Sequence, residues 1–120
     1  MKTVSIIIPE TAVPEAVCDP HYMFNAVNAF LESGGKEPLF NVQLVGLKKE
    51  VKLLGGSFSV HVDALAKDVK KTDLIFIPAL SGNLKEAVEM NREFIPWIVS
   101  QHSKGAEVAS LCVGAFLLAA

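Results

Sequence analysis

Two cysteines, one tryptophan and one tyrosine in 120 residues leave few specialised side chains to distribute. Cys18 and Cys112 stand far apart with no CxxC and no neighbouring histidine pair, which rules against a zinc site and leaves two free thiols in a reducing cytoplasm as the expectation. Charge of one sign is also lacking. Eleven basic against 13 acidic residues give a net charge of −2, so there is no electrostatic footprint for nucleic acid or anionic lipid. If the protein works on DNA, another segment does the touching. Long apolar runs are missing too: the longest uncharged one, residues 108–120, covers 13 positions, short of the roughly 18 that span a bilayer. The first residues are apolar, but the run stops at Pro9-Glu10 without a small-residue cleavage site, which reads as a strand rather than a signal peptide. No metal motif, nucleotide motif, internal repeat or linker is present, so no cofactor is implied.

What is there is apolar and regularly punctuated, with 51% hydrophobic residues and a mean hydropathy of +0.39. A chain of this length is one domain or part of one. Residues 4–8 form a β-branched run with Ser5 as the single polar residue, the pattern of a strand buried on both faces, as in a parallel sheet. After a loop containing Pro14 and Pro20, Tyr22, Met23, Ala26, Val27, Phe30 and Leu31 recur at helical spacing up to Gly34-Gly35. Asp19-Pro20 supplies an N-cap and a proline at the first helical position. Residues 40–45 follow as a strand, giving a βαβ unit. Gly55-Gly56 separates two short strands at 51–54 and 58–60, and Asp63 is placed to cap a short helix over 64–69. Residues 73–78 are the clearest strand. Residues 84–102 read as helical with Pro96 marking a break or a second start, 107–111 as the last strand, and 113 onward as a helix. Alternating strands and helices predict a three-layer, doubly wound α/β sandwich with a mainly parallel sheet.

In a parallel sheet, ligands bind beyond the carboxyl ends of the strands, which directs attention to the loops after Ile8 and Ile77 and to the one holding Cys112. A cysteine at a tight strand-to-helix turn is pushed out of the sheet beside helix N–H groups that favour negative charge. Ser110 and Gly114, two residues to either side, are small enough for such an elbow. The runs VSIIIP (4–9), FIPALSG (76–82) and VASLCVGAFLLA (108–119) resemble the class I glutamine amidotransferase-like, PfpI-type superfamily. Within it they are most similar to the amino-terminal domain of AraC-type transcriptional regulators, where a Cys-x-Gly-Ala-Phe-x-Leu-Ala elbow is characteristic.

That resemblance implies a flavodoxin-like domain with Cys112 at the elbow and an oxyanion pocket of backbone N–H groups around Ala79, Leu80 and Val113. In the enzymes of the superfamily it also implies an acid and a histidine. Here the acid position falls on Ala16, with Glu15 adjacent and Asp19 three beyond, and Pro78-Ala79-Leu80 stands where the enzymes have Pro-Gly-Gly. The enzymes' histidine follows the elbow helix, beyond Ala120. The resemblance therefore implies a domain incomplete at its carboxyl end, an elbow without its usual partners, and a ligand-binding set of Glu15, Asp19, Ala79, Leu80, Cys112 and Val113. The expectation is a cytoplasmic sensing and dimerisation domain of an AraC-type regulator. It would answer to an unidentified small molecule, form a homodimer, keep clear of membranes and reach DNA through a separate helix-turn-helix domain. The alternative is a stand-alone PfpI-type cysteine enzyme, hydrolase, glyoxalase-like or isocyanide hydratase-like, with Cys112 as its catalytic residue. His21, His61 and His102 are read as surface or capping residues. Tyr22, Phe24, Phe76, Phe94 and Trp97 are read as packing.

Overall fold

The first strand, β1 (Lys2–Ile7), lies in the middle of the molecule, and its side chains divide the core in two. Val4, Ile6 and Ile8 point to one face, where they meet Val17, Val51 and Leu53. Ile7 points to the other and joins Val45, Ile75, Ile77, Phe94 and Ile98. This is the period-two alternation of an extended chain, with both faces apolar because both are covered. The computed structural model describes all 120 residues.

Helix α1 (Pro14–Ser33) leads to β2 (Phe40–Gly46), which pairs parallel to β1 over its full length. A separate antiparallel hairpin, β3 (Glu50–Leu53) and β4 (Phe58–His61), then lies on the α1 face. The main sheet continues with β5 (Ala64–Leu65), β6 (Leu74–Ile77) and β7 (Glu107–Ser110); between the last two come helices α2 (Leu84–Met90) and α3 (Phe94–Ser103). A single 3-10 turn at Cys112–Gly114 leads into α4 (Ala115–Ala119). The five strands run parallel in the order β5-β2-β1-β6-β7. The fold is thus the expected doubly wound α/β architecture, with helices on both faces of a parallel sheet.

Three local expectations are corrected. Helix α1 begins at Pro14, not after Asp19-Pro20: Val13 occupies the N-cap position and Pro14 the first turn, where a missing N–H costs nothing. Asp19 is therefore an exposed mid-helix residue, and Pro20 is buried inside the helix. The inward face of α1 is also not the one with the most apolar residues. Val17, Pro20 and Phe24 turn inward, Phe24 against Phe40 and Phe76 edge-to-face at 5.0 and 6.3 Å. Tyr22, Met23 and Phe30 point to solvent at 73, 65 and 78% exposure, so Tyr22 is not a packing residue. Finally, Asp63 caps no helix. Its backbone N–H donates to the Leu44 carbonyl and its Oδ2 accepts from the Leu44 N–H, which draws Ala64–Leu65 into the sheet as β5. Only one 3-10 turn, Ala66–Asp68, remains of the helix expected at 64–69.

The run at 84–102 splits at Asn91, and Pro96 marks the second start, in the first turn of α3. Asn83 caps α2 by accepting from the Glu86 N–H at 3.0 Å. No helix is long and apolar enough to cross a membrane.

Candidate functional site

Strand order reverses next to β1: the chain goes from β1 to β2 on one side, and later places β6 and β7 on the other. The crevice beyond the carboxyl ends of β1 and β6 is where such sheets bind ligands. The loops after β1 and β6 meet there, beside the turn that follows β7, and the backbones of the first two are stitched together. Val13 N–H donates to the Ala79 carbonyl at 2.8 Å, and Ser81 donates to the Thr11 carbonyl through both its N–H and its hydroxyl, each at 2.8 Å. Ala12 and Leu80 face each other in an antiparallel bridge. Thr11 holds a left-handed φ of 69°, and its hydroxyl is buried without a hydrogen-bond partner.

Cys112 sits at the end of β7, immediately past the register pair Ile77 and Ser110. Its φ is 49°, a conformation that non-glycine residues hold only where the surrounding structure compels it. The compulsion is visible in the neighbours. Leu111 N–H donates to the Ile77 carbonyl at 2.9 Å and Gly114 N–H returns to the Leu111 carbonyl at 2.8 Å, so the chain turns within three residues. A Cβ on Gly114 would stand 2.5 Å from the Pro78 oxygen and 2.8 Å from the Ile77 oxygen, so only glycine lets the elbow close against β6. The result is an exposed thiol at the start of a short helical segment, whose first N–H groups have no intrahelical acceptor.

The site residues inferred from sequence fall into two groups. Ala79, Leu80, Cys112 and Val113 gather at the carboxyl ends of β6 and β7; Leu80 is buried and Val113 packs against the same core. Glu15 and Asp19 stand on the first two turns of α1, exposed, and neither forms an ion pair or side-chain hydrogen bond. Ala16, at the acid position, is half-buried. Of the histidines, His61 pairs with Glu50 at 3.5 Å, His102 lies in the last turn of α3, and none bonds to Cys112. Cys18 is exposed on α1 and free. No cluster of three or more His, Cys, Asp or Glu side chains is arranged to hold a metal ion.

Sequence reasoning missed the residue that anchors the first loop. Asn91 is fully buried, accepts from the Glu10 N–H at 2.7 Å, and donates to the carbonyls of Glu10 at 2.9 Å and Ala87 at 2.7 Å. The available signal was an asparagine, a poor helix former, in the middle of an apparently continuous helical run.

This arrangement has structural counterparts. A proposed transcriptional regulator protein from Vibrio parahaemolyticus superposes with a TM-score of 0.79 at 19% identity, over 98% of this chain and 60% of its own. A ThiJ/PfpI family protein from Pseudomonas syringae gives 0.74 at 14% identity, over 98% of this chain and 44% of its own. A DJ-1 superfamily protein from Agrobacterium tumefaciens gives 0.67 at 15%, over 98% and 57%. The chain therefore has the α/β fold of DJ-1/ThiJ/PfpI proteins, and spans about half the length of these neighbours. No protein-family model and no curated protein matches the sequence.

Proposed function

We propose that this chain is the amino-terminal sensing and dimerisation domain of a cytoplasmic AraC-type transcriptional regulator, taking a small molecule at the elbow. The observation that carries the reading is the acid position beside the elbow. The elbow is formed and the thiol is exposed, but Ala16 stands at that position and Glu15 and Asp19 face solvent. A strained cysteine without a carboxylate beside it is a better binding element than a nucleophile. The net charge of −2 supports a division of labour in which a separate helix-turn-helix domain contacts DNA.

We also propose that the domain includes further strands beside β7. Its outer edge is unpaired, and an open cleft of about 600 Å3 lies along it, lined in part by Ile98, Val99, Val108 and Leu118. The regulator reading is tested by gel retardation with the full-length polypeptide and its own promoter region, with and without a metabolite extract. Ligand-dependent DNA retention supports it.

The second reading, a cysteine enzyme, is favoured by the strain at Cys112, since positive φ at a non-glycine residue concentrates at functional sites. Turnover of an aldehyde, amide or isocyanide that is lost in Cys112→Ser and kept in Cys18→Ser would establish it and displace the regulator.

A further inference from the structure

A second cleft lies at the carboxyl ends of β1 and β2, on the side of β1 away from the elbow. The β3–β4 hairpin approaches it from one face of the sheet and the corner between α2 and α3 from the other, leaving about 220 Å3 between them. The floor is apolar and buried: Ile8, Val51 and Phe94 are exposed by only 1, 2 and 1%, and the half-buried Leu47 lies beside them. Met90, half-exposed and flexible, forms one wall. The rim carries both signs of charge. Glu10 Oε1 meets Lys48 Nζ at 2.6 Å, and Glu93 adds a second carboxylate.

The two partners of that ion pair are held very differently. Asn91 grips the Glu10 backbone through both its N–H and its carbonyl, and the Glu10 side chain is only 25% exposed. Lys48 is 66% exposed at the end of a flexible stem. A fixed anion and a mobile cation above an apolar floor match a molecule with an ammonium, a carboxylate and an aliphatic tail. We propose that this cleft binds a small α-amino acid with a branched aliphatic side chain. The ammonium sits between Glu10 and Glu93, the carboxylate draws Lys48 outward, and the tail lies against Leu47 and Met90. An exposed ion pair contributes little in water, so exchanging it for two pairs to the ligand loses little, while burying the tail is favourable.

The site is independent of Cys112 but not isolated from it. The loop that begins at Glu10 continues into Thr11–Val13, which is stitched to Ala79 and Ser81 beside the elbow. A ligand seated on Glu10 therefore touches the loop that forms one wall of the elbow crevice.

The test is isothermal titration calorimetry of the full-length protein with L-leucine, alongside 4-methylpentanoate and 3-methylbutylamine, which carry one charged group each. The expected result is saturable L-leucine binding with Kd between about 10 µM and 1 mM, at least tenfold tighter than either half-ligand. Lys48→Met and Glu10→Gln should each weaken it tenfold or more, and Cys18→Ser, at an exposed position of α1, should leave it unchanged. Lys48→Met alters only an exposed side chain, so the outcome does not depend on how well Glu10→Gln folds. Absence of saturation at about 10 mM, equal binding of a half-ligand, or undiminished binding to Lys48→Met would overturn the proposal. DNA retention that responds to another metabolite while L-leucine fails to bind removes this site and leaves the regulator reading standing. L-Leucine binding by a protein that shows Cys112-dependent turnover does the reverse.

Discussion

The two edges of the sheet are built on opposite plans. At the β5 edge the last strand has two residues, Asp63 anchors it to Leu44, and Lys67 and Asp68 follow at once in a 3-10 turn. Short strands flanked by charge are how proteins blunt an edge against further pairing. At the β7 edge the strand has four residues, and the groove beside it presents Val99 and Leu118, which are 61 and 42% exposed. One edge is blunted; the other presents an unpaired strand beside an apolar groove. The elbow with Cys112 grows from the second edge.

The largest expected effect separates the two sides by a glycine each. Gly114→Ala should cost about 2–3 kcal/mol, because its Cβ would press on two carbonyl oxygens of the rigid β6 end. Gly46→Ala, on the β5 side, should cost about 1–2 kcal/mol, since it meets one backbone oxygen, that of Lys48, and a Val62 methyl in place of a second oxygen. Urea unfolding of both variants checks this, and equal or reversed losses would break the contrast between the two sides. Next comes Asn91→Ala, which strips the Glu10 N–H and carbonyl of their partners and should cost about 1–2 kcal/mol. Hydrogen exchange should then quicken in the 10–13 loop and leave β5 protected; uniform quickening would mean that Asn91 supports the whole sheet.

A third prediction concerns association rather than stability. Val99→Lys combined with Leu118→Lys should shift unfolding by less than about 0.5 kcal/mol per site, as both are surface positions. It should also reduce any self-association seen by sedimentation velocity. If Leu65→Lys at the β5 edge reduces association as much, the two edges are equivalent and the comparison fails. The smallest effect is at the exposed ion pair between Glu89 of α2 and Arg92 in the turn after it, joined at 2.6 Å. The Arg92 guanidinium holds the Glu89 carboxyl below its usual range through a hydrogen bond and charge attraction. A depressed carboxyl stabilises above its unfolded pKa, and this contribution fades as pH falls through the folded value. Solvent screening makes it slight, so the acid limb of the Tm profile of Arg92→Ala should overlay the parent.

Much of the molecule was legible in one dimension. The β-branched runs at β1 and β6 announce strands covered on both faces, and the small residues around Cys112 announce a tight turn, which the φ of 49° and the Gly114 contacts realise. Helix α1 was legible as a helix but not in its orientation. Apolar spacing did not separate Phe24, correctly read as packing, from Tyr22, Met23 and Phe30; Phe24 is inside, with Val17, because it meets Val4, Ile6 and Phe40 on the same face of the sheet. The candidate site shows the same division: Cys112, Ala79, Leu80 and Val113 converge, while Glu15 and Asp19 stay on the solvent side of α1.

The sequence alone therefore determined the order and type of the elements and the position of the elbow, because periodicity, turn residues and small-residue spacing are local properties of a chain. Only the tertiary structure decided which face of α1 is buried, that Asp63 extends a sheet instead of starting a helix, and that Asn91 holds Glu10. The physical reason is separation: Glu10 and Asn91 lie 81 positions apart, and a hydrogen bond across that distance leaves no trace in the residues adjacent to either.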